Sequence, residues 1–468
     1  MRTQTASIAI LAAGLGTRMR SKRAKVLHRA GGKALVEHAV DAALALAAPE
    51  RVAVVVGHQA ERVRELLAGR GVRFVLQSEQ KGTGHAVACC REALGGAEGP
   101  LLVTVGDCPL LRAETLSGLI ESHAKSGAAC TVITTEVPEP AGYGRIVRDR
   151  KGDVAAIVEE KAATAEEKRI REINSGLYCF DAALLWKHIG SLEPNPASGE
   201  LYLTDLIGLL NAHGCRVAAY RIEDSSELLG INTRIELADA DRILRGRKVR
   251  ELMLAGVTIE KPETVTIDVD VRVGQDTVIE PFAQILGAAV IGEDCRIGAS
   301  SILRNATLGD GVEVEAFSWI ADSRIDSGAR IGPYARLRMN AHVREKGVIG
   351  NFVELKKTDF GRGAKAQHLA YLGDSQVGEG SNIGAGTITC NYDGVKKHET
   401  RIGAQAFVGS NSTLVAPVEI GEGSYVGAGS VITENVESGA LALGRSRQVN
   451  KPEWANKRRA EKLPKSAV

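Results

Sequence analysis

Residues 402–432 read IGAQAFVGSNSTLVAPVEIGEGSYVGAGSVI, with an aliphatic side chain at every sixth position: Ile402, Val408, Leu414, Ile420, Val426 and Ile432. Glycine often follows the aliphatic residue. A period of six matches neither a helix nor a simple alternating strand. It predicts a parallel β-helix, in which each short strand points one aliphatic side chain inward and glycine allows the tight corners between strands.

The same period occurs earlier in the chain, from Val273 to Leu303 and, after one-residue slips, from Leu308 to Leu337. The register breaks at residues 350–357 and 368–374, which we expect to form a protruding loop. A second interruption, polar and aromatic, follows at residues 391–394. Stacked coils bury their core only against neighbours and leave flat walls that can pack on copies of the chain, so we expect a homo-oligomer, most simply a trimer.

The N-terminal half has a different pattern, in which short apolar runs alternate with amphipathic helical stretches. This predicts a mainly parallel, doubly wound, Rossmann-like α/β sheet. Predicted strands are Ser7–Leu11, Val52–Val56, Val72–Leu76, Leu101–Val105 and Cys130–Thr134. The fold class is therefore α/β plus β, in four parts: a nucleotide-binding domain at 1–231, a linker helix at 232–257, a left-handed parallel β-helix at 258–449 and a basic tail at 450–468.

Composition excludes several classes of partner. Lys and Arg total 59 against 57 Asp and Glu, so the bulk charge favours neither nucleic acid nor an anionic membrane. We find no signal-peptide pattern and no stretch apolar and long enough to span a bilayer. The eight cysteines form no CxxC pair, which indicates reduced thiols and a cytoplasmic protein.

The loop at residues 11–18, Leu-Ala-Ala-Gly-Leu-Gly-Thr-Arg, directly follows the first predicted strand. Its glycines would let backbone N–H groups approach a phosphate, while Arg18 and Lys25 add positive charge. Alone, the two glycines fit a plain strand-to-helix turn about as well, and the third glycine of the dinucleotide fingerprint is missing.

Further polar residues in this half strengthen the nucleotide interpretation. Gln77, Asp107 and Asn232 follow predicted strands or precede the linker helix, where ligands bind in open α/β sheets. Asp107 supplies the hard carboxylate that Mg²⁺ prefers, although a helix N-cap would also explain it. Phosphoryl-type transfer depends on positioning and charge neutralisation, which Arg18, Lys25 and a metal would provide without a covalent residue.

Several motifs carry a family resemblance: Gly142-Tyr-Gly-Arg-Ile146, Val158-Glu159, Glu172-Ile-Asn-Ser-Gly176, Glu200-Leu-Tyr-Leu-Thr-Asp205 and Gly230-Ile-Asn232. With the loop at residues 11–18 they resemble the sugar-nucleotide pyrophosphorylases. Together with the hexapeptide half, nearly the whole chain is similar to the bacterial bifunctional N-acetylglucosamine-1-phosphate uridyltransferase and glucosamine-1-phosphate acetyltransferase family.

That resemblance implies a site for UDP-N-acetylglucosamine in the N-terminal half. The implied nucleotide contacts are Leu11, Ala12, Ala13, Gly14, Lys25, Gln77, Gly82 and Thr83. The implied sugar contacts are Gly144, Glu159 and Asn174. Asp107 and Asn232 would bind Mg²⁺, and Asn232 would also contact the ligand.

His368 is the candidate catalytic residue of the β-helix half. Imidazole titrates near physiological pH and can deprotonate an attacking amine, although a solvated loop histidine is the simpler interpretation of the residue in isolation. The resemblance implies His368 as general base, with glucosamine 1-phosphate bound by Arg338, Lys356, Tyr371 and Asn382. It implies acetyl-CoA contacts at Ala385, Asn391, Tyr392, Ser410, Ala428 and Arg445. Paired cations such as Arg338 and Lys356 suit a phosphate dianion, but ordinary surface charge would explain them too.

The expected function is acetyl transfer from acetyl-CoA to glucosamine 1-phosphate, followed by uridylyl transfer from UTP with Mg²⁺ and release of pyrophosphate. By resemblance, the product feeds cell-envelope synthesis. Two alternatives remain: a monofunctional sugar-1-phosphate nucleotidyltransferase with a structural or regulatory β-helix, and a non-enzymatic assembly subunit. The residues around His368 disfavour the first alternative, and Arg18, Lys25, Asp107 and Asn232 disfavour the second.

Overall fold

The computed structural model describes residues 6–96, 99–196 and 198–462. The chain divides into two compact units, Met1–Lys248 and Val249–Val468. Residues 463–468 of the predicted basic tail lie outside the described residues. No helix within the described residues is long and apolar enough to cross a membrane, and the eight cysteines, all of them described, are free thiols.

A mixed sheet forms the centre of the first unit. Its strands lie side by side in the order Val217–Arg221, Cys130–Glu136, Glu172–Asp181, Pro100–Val105, Ser7–Leu11, Val52–Val56 and Arg73–Leu76. Arg145–Arg148 and Val154–Val158 form a hairpin attached to Glu172–Asp181. Arg29–Ala30 and Lys33–Ala34 make a separate small ribbon. The central strands are buried on both faces, as in Val52–Val56, because one apolar cluster packs on each side of the sheet.

The five predicted strands are confirmed to within about two residues. The sheet is less parallel than expected, since Glu172–Asp181 runs antiparallel to both of its neighbours. The sequence analysis missed this strand because Asn174-Ser-Gly176 is typical of a turn. In the structure the strand continues through these residues with a shift of register between Asn174 and Tyr178.

Helices connect and cover the strands. The α-helices of the described residues are Leu35–Leu44, Ala60–Leu66, Thr83–Cys89, Arg91–Leu94, Ala113–Ser126, Ala182–His188, Asp205–Ala212, Arg234–Leu254 and Trp454–Lys462. Arg234–Leu254 lies inside the predicted linker at 232–257, and the division between the two units falls within it. The predicted domain boundaries at residues 231, 257 and 449 stay predictions.

Two columns of parallel strands form the second unit. One column contains Thr258–Ile259, Val278–Ile279, Arg296–Ile297, Glu313–Val314, Arg330–Ile331, Val348–Asn351, Lys365–His368, Asn382–Ile383, Phe407–Val408, Tyr425–Val426 and Leu441–Ala442. The larger column contains Thr266–Ile267, Arg272–Val273, Gln284–Leu286, Val290–Ile291, Ile302–Arg304, Thr307–Leu308, Trp319–Ala321, Arg324–Ile325, Arg336–Arg338, His342–Val343, Glu354–Phe360, Tyr371–Val377, Ile388–Cys390, Thr400–Ile402, Thr413–Val415, Val418–Ile420 and Val431–Ile432. Each strand pairs in parallel with a strand of the next coil, as Val278 pairs with Arg296.

The hexapeptide prediction is confirmed by burial. The aliphatic residues of the repeat, from Ile279 to Ile432, form one continuous buried cluster, and the parallel pairing is consistent with the predicted left-handed β-helix. Stacking buries these aliphatic residues because each coil covers the open end of the coil before it.

The predicted protruding loop at residues 350–357 and 368–374 is wrong. These residues belong to regular coils, within strands that include Glu354–Phe360 and Tyr371–Val377. The repeat continues through them because Leu355, Phe360 and Leu372 still point inward and are buried. The second interruption is confirmed: between Ile388–Cys390 and Thr400–Ile402, residues 391–399 form an excursion that leaves the wall of the β-helix, and residues 392–397 are exposed.

Candidate active sites

The predicted nucleotide-binding residues follow adjacent strands of the first unit. Backbone hydrogen bonds join the strand ends: Ala12 N donates to Val55 O (2.9 Å), Gly106 N to Leu11 O (2.9 Å) and Gln77 N to Val56 O (2.9 Å). Because parallel strands end at one edge of a sheet, the loop at residues 11–18, Gln77 and Asp107 line one edge.

Arg18, Lys25, Asp107 and Asn232 form one polar cluster at this edge. Lys25 Nζ pairs with Asp107 Oδ2 and donates to Asn232 Oδ1 at 3.2 Å. Arg18 donates to the same amide oxygen at 2.8 Å. The helix-cap explanation of Asp107 is wrong, since the next helix is Ala113–Ser126 with Arg112 at its N-cap.

The donor atoms of this cluster suit Mg²⁺. Asp107 offers a carboxylate and Asn232 an amide oxygen, both hard ligands that face one Lys25 ammonium. Within the described ranges, no group of three or more His, Cys, Asp or Glu side chains could hold a metal. A Mg²⁺ ion here would need substrate phosphate oxygens and water to complete its coordination.

Gly16 allows Lys25 to approach the loop. Its φ of 63° lies in the left-handed region, and a Cβ at this position would lie 2.5 Å from Lys25 Cβ. Any other residue would therefore be strained and would displace the lysine backbone. The glycine that suggested phosphate binding also positions a candidate catalytic cation.

Asn232 is held by a capping box that sequence reasoning missed. Glu236 Oε2 accepts hydrogen bonds from the backbone N of Asn232 (2.6 Å) and of Thr233 (2.7 Å), and Thr233 Oγ1 accepts from Glu236 N (3.2 Å). A threonine followed three residues later by glutamate is a sequence signal for a helix start, so this support was detectable in the sequence. It fixes the candidate metal ligand at the start of Arg234–Leu254.

The predicted sugar contacts also lie together. Asn174 N donates to Gly144 O at 2.9 Å, and a Cβ on Gly144 would lie 3.7 Å from Glu159 Cδ. Burial raises the pKa of Glu159, the Asp205 carboxylate adds to the shift, and a hydrogen bond from Thr204 opposes it. The three residues form a partly buried polar surface suited to hydroxyl groups.

Arg145 and Glu160, which the sequence analysis did not single out, support that surface. Arg145 is almost fully buried; it donates to Tyr143 O and, at 2.6 Å, to Glu160 Oε2. Glu160 Oε2 also accepts from Gly142 N at 3.3 Å. The ion pair ties the turn before Gly144 to the segment that carries Glu159.

Gln77 and Gly82 lie between the edge strand Arg73–Leu76 and the helix Thr83–Cys89, and Thr83 is the first residue of that helix. Gln77 Nε2 donates to Gly82 O at 3.1 Å, and Leu203 N donates to Thr83 Oγ1 at 3.0 Å. The motif at residues 200–205 therefore packs on the predicted nucleotide loop.

In the second unit, His368 has one defined side-chain partner. Its Nδ1 lies 2.7 Å from Asn351 Oδ1, because Asn351 occupies the paired position one coil earlier. An amide oxygen can only accept, so Nδ1 donates its N–H to Asn351, and in the neutral ring the lone pair is on Nε2. This is the tautomer that a general base acting through Nε2 requires. The sequence analysis missed Asn351.

Lys356 is buried within a charged network. Its Nζ donates to Asp374 Oδ2 at 2.8 Å, and Asn391 Nδ2 donates to the same oxygen at 2.5 Å. The hydrogen bond to Asp374 raises the pKa of Lys356. Burial raises the pKa of Asp374, but the hydrogen bonds from Lys356 and Asn391 outweigh it and lower that pKa overall. Lys356 is therefore not a solvated surface charge.

Arg338 and Lys397 extend this network. Arg338 Nε donates to Glu354 Oε1 at 2.7 Å. Lys397, in the exposed excursion, has its pKa lowered by the neighbouring Lys356 ammonium and by Arg338. Cations gathered this closely favour a dianion. Sequence reasoning missed Lys397, because the length of the excursion does not reveal where it folds back.

Tyr371 lies on the same wall, and Asn382 lies on the strand that pairs with the strand of His368, opposite Lys365. A Cβ on Gly373 would lie 2.4 Å from the Tyr371 hydroxyl and 2.9 Å from Asn391 Nδ2, so the glycine makes room for both groups. Asn382–Ile383 pairs with Lys365–His368. Asn391 is buried and uses its amide on Asp374.

Most of the predicted acetyl-CoA contacts follow successive corners of the β-helix. Asn411 N donates to Ala385 O at 2.7 Å, and Gly429 N donates to Ser410 O at 2.8 Å, which stacks Ala385, Ser410 and the corner containing Ala428. Arg445 lies beyond them, with Cδ 4.0 Å from a Cβ built on Gly429. Tyr392 is exposed in the excursion, where its hydroxyl donates to Gly394 O at 2.6 Å.

Two family models match the two halves. Residues 8–172 match the MobA-like NTP transferase domain. Residues 270–305 and 399–434 match the bacterial transferase hexapeptide model of six repeats. The order of the matches agrees with the observed order of the two units, an α/β sheet followed by a β-helix.

Relatives match over nearly the full length. The bifunctional protein GlmU of Solibacter usitatus is 58% identical over 456 residues, which cover 97% of this chain and 98% of the relative. The chain belongs to the GlmU family. The GlmU proteins of Koribacter versatilis and Pelobacter propionicus are 50% and 48% identical, over 98% and 95% of this chain and over 98% and 97% of their own lengths.

Membership of the GlmU family makes the chain a bifunctional enzyme. The nucleotidyltransferase unit corresponds to uridylyl transfer, and the hexapeptide unit corresponds to acetyl transfer. The monofunctional and non-enzymatic alternatives do not fit relatives that share both halves over nearly the whole length.

Proposed function

We propose that this GlmU-family enzyme first acetylates glucosamine 1-phosphate in its β-helix and then couples the product to UTP in its N-terminal unit. The observation that carries the proposal is the pairing of His368 with Asn351 at 2.7 Å, in one chain with the cluster of Lys25, Asp107 and Asn232. His368 with Asn351 suits base-assisted acetyl transfer, and Lys25, Asp107 and Asn232 suit metal-assisted uridylyl transfer.

In acetyl transfer, His368 Nε2 would take a proton from the amine of glucosamine 1-phosphate. The amine nitrogen forms its bond to the thioester carbon of acetyl-CoA, and the carbon–sulfur bond then breaks, so CoA leaves as a thiolate that takes up a proton. Arg338 and Lys356 would bind the phosphate of the sugar, with Tyr371 and Asn382 as further contacts. Acetyl-CoA would lie along Ala385, Ser410, Ala428 and Arg445, with Asn391 and Tyr392 at its other side.

In uridylyl transfer, a phosphate oxygen of N-acetylglucosamine 1-phosphate attacks the α-phosphorus of UTP, and pyrophosphate leaves. Arg18 and Lys25 would neutralise charge on the phosphates, and backbone N–H groups of residues 11–14 would contact them. Mg²⁺ held by Asp107 and Asn232 would supply further charge neutralisation. Gln77, Gly82 and Thr83 would bind the nucleotide, and Gly144, Glu159 and Asn174 the sugar.

We further propose a cytoplasmic homotrimer with the four-part division 1–231, 232–257, 258–449 and 450–468. Hexapeptide β-helices favour oligomers. An exposed ladder of stacked rings, Phe317, Tyr334 and Phe352, with centroids 5.1 and 5.3 Å apart, supplies an apolar surface for contact between copies. Light scattering that finds a monomer at micromolar concentration would contradict the trimer.

Single substitutions test the assignment of each site. Asp107→Ala should reduce uridylyl transfer by about 100-fold or more, since it removes charge stabilisation at the reacting phosphates. It should leave acetyl transfer unchanged. His368→Ala should reduce acetyl transfer and leave uridylyl transfer unchanged. Pyrophosphate release and CoA thiol release measure the two reactions in one preparation; full activity of either variant in its own reaction would refute that assignment.

A further inference from the structure

Gln77 is bound to a residue that the proposed function does not use. Gln77 is buried, with 4% of its surface exposed. Its Nε2 lies 3.1 Å from Gly82 O and 3.1 Å from His85 Nδ1. His85 lies in the helix Thr83–Cys89, and its Nε2 is 3.7 Å from Cys89 Sγ, one turn further along that helix.

The hydrogen-bonding capacity of these groups fixes their orientation. A glutamine amide has two N–H donors on Nε2 and one acceptor oxygen. Gly82 O takes one donor, and His85 Nδ1 takes the other in the tautomer that carries the ring proton on Nε2, directed at Cys89 Sγ. Within the described residues Gln77 Oε1 has no hydrogen-bond partner, and it is the one polar atom of the side chain left for a ligand.

His85 supplies one of the two contacts that prevent the amide from turning over. If the amide rotated by half a turn, its oxygen would face the lone pairs of Gly82 O, and His85 would have to move its proton to Nδ1 and give up the contact of Nε2–H with Cys89 Sγ. Without His85, only Gly82 would oppose the turn. One N–H would also lose its partner and would favour turning toward the ligand, because a buried donor without an acceptor is costly.

We propose that His85 is a positioning residue that makes the nucleotide site selective for uracil over cytosine. The inference rests on the proposed function, in which Gln77 contacts the uridine nucleotide, and concerns the residue that orients Gln77 for that contact. Uracil N3 carries a hydrogen and can donate to the outward Gln77 Oε1, whereas cytosine N3 is an acceptor and is repelled. A site arranged for one hydrogen-bonding pattern discriminates strongly against the opposite pattern.

The test compares kcat/KM for UTP and for CTP with N-acetylglucosamine 1-phosphate as co-substrate. His85→Phe keeps a ring but removes the acceptor, and the ratio of UTP to CTP should fall about 10-fold, the value of a typical hydrogen bond. His85→Asn places an amide oxygen near the position of Nδ1 and should restore most of the ratio. His213→Phe, at an exposed histidine of the same unit, is the matched control and should keep the wild-type ratio.

A double variant separates positioning from a general structural effect. If His85 acts only through Gln77, His85→Phe should not change the ratio further in a Gln77→Met background. An unchanged ratio in His85→Phe, or equal effects in both backgrounds, would overturn the inference. Where turnover is too slow, competition calorimetry gives the ratio of the dissociation constants of UDP and CDP, which should change in the same direction in each variant. A wild-type enzyme that does not use UTP would instead refute the proposed function.

Discussion

The imidazole of His368 is exposed, and its orientation depends on the amide of Asn351 at 2.7 Å. Asn351→Leu removes the acceptor for Nδ1–H, so the ring can rotate or change tautomer. We expect acetyl transfer to fall by about 10- to 100-fold, a part of what a positioned general base contributes. CoA thiol release at saturating substrates measures the loss.

Asn351→Asp is the matched control, because it keeps an acceptor for Nδ1–H at the same place. It should retain most of the acetyl-transfer rate at high pH, and its carboxylate should shift the acidic limb of the pH profile upward by favouring imidazolium. Uridylyl transfer should be normal in both variants. An Asn351→Leu enzyme as fast as the wild type would show that His368 needs no orienting partner.

Glu159 should make the proposed sugar site sensitive to acid. Burial raises its pKa, so on acidification it gains a proton earlier than an ordinary glutamate, and its bond to a sugar hydroxyl loses charge assistance. The KM for N-acetylglucosamine 1-phosphate should rise as the pH falls through this raised pKa, by roughly 3- to 10-fold for one weakened hydrogen bond.

Glu159→Gln separates this effect from titration of the substrate phosphate. The variant should have a raised KM at neutral pH and should lose the additional acidic dependence, while any remaining dependence belongs to the phosphate. The same acidic rise of KM in the wild type and in Glu159→Gln would show that Glu159 is not the titrating group.

At the scale of elements, the β-helix was predictable because each coil repeats one requirement, an inward aliphatic side chain, and the period appears directly in the sequence. The failure at residues 350–357 and 368–374 has a physical cause. Lys356 and His368 suggested a loop, yet Leu355, Phe360 and Leu372 keep the inward positions, and the neighbouring outward positions tolerate any polar residue.

The site was predictable only in part. Asp107 and Gln77 could be placed from the rule that ligands bind at strand ends, and the capping box at Thr233 and Glu236 was detectable by its spacing. The approach of Lys397 to Lys356 and the pairing of Asn351 with His368 depend on which coils stack, and short-range patterns do not contain that information.

The excursion at residues 391–399 is an element whose function can be tested separately from the fold. The coils on either side pair directly, Ile388 with Thr413 and Cys390 with Val415, and His398 N donates to Asn391 O at 2.9 Å. Replacing residues 392–397 with two glycines should therefore leave the melting temperature within about 4 °C, a change of roughly 1 kcal/mol or less.

Acetyl transfer should respond differently to that replacement. Removal of Lys397 and Tyr392 should raise the KM for glucosamine 1-phosphate and for acetyl-CoA by about 10-fold each, as expected for a lost contact to a charged ligand. Lys397→Met alone should affect glucosamine 1-phosphate only. A replacement enzyme with unchanged KM values would exclude the excursion from the site.

At the scale of the whole molecule, the two activities occupy separate compact units. The apolar cluster of the β-helix and the two clusters that flank the sheet share no residue. Every predicted uridylyl-transfer residue precedes Lys248, and every predicted acetyl-transfer residue follows Val249. A defect at one site should therefore leave the other site intact.

This separation predicts complementation between variants that each lack one activity. Asp107→Ala should convert glucosamine 1-phosphate only to its N-acetyl form, and His368→Ala should use only the acetylated sugar. Neither variant alone should form UDP-N-acetylglucosamine from glucosamine 1-phosphate, UTP and acetyl-CoA, but an equimolar mixture should, because the intermediate can leave one active site and enter another. Chromatography of the nucleotide products measures this, with the Asp107→Ala/His368→Ala double variant as the inactive control. A mixture that forms no product, although each variant keeps its remaining activity, would mean that the intermediate cannot pass between molecules through solvent.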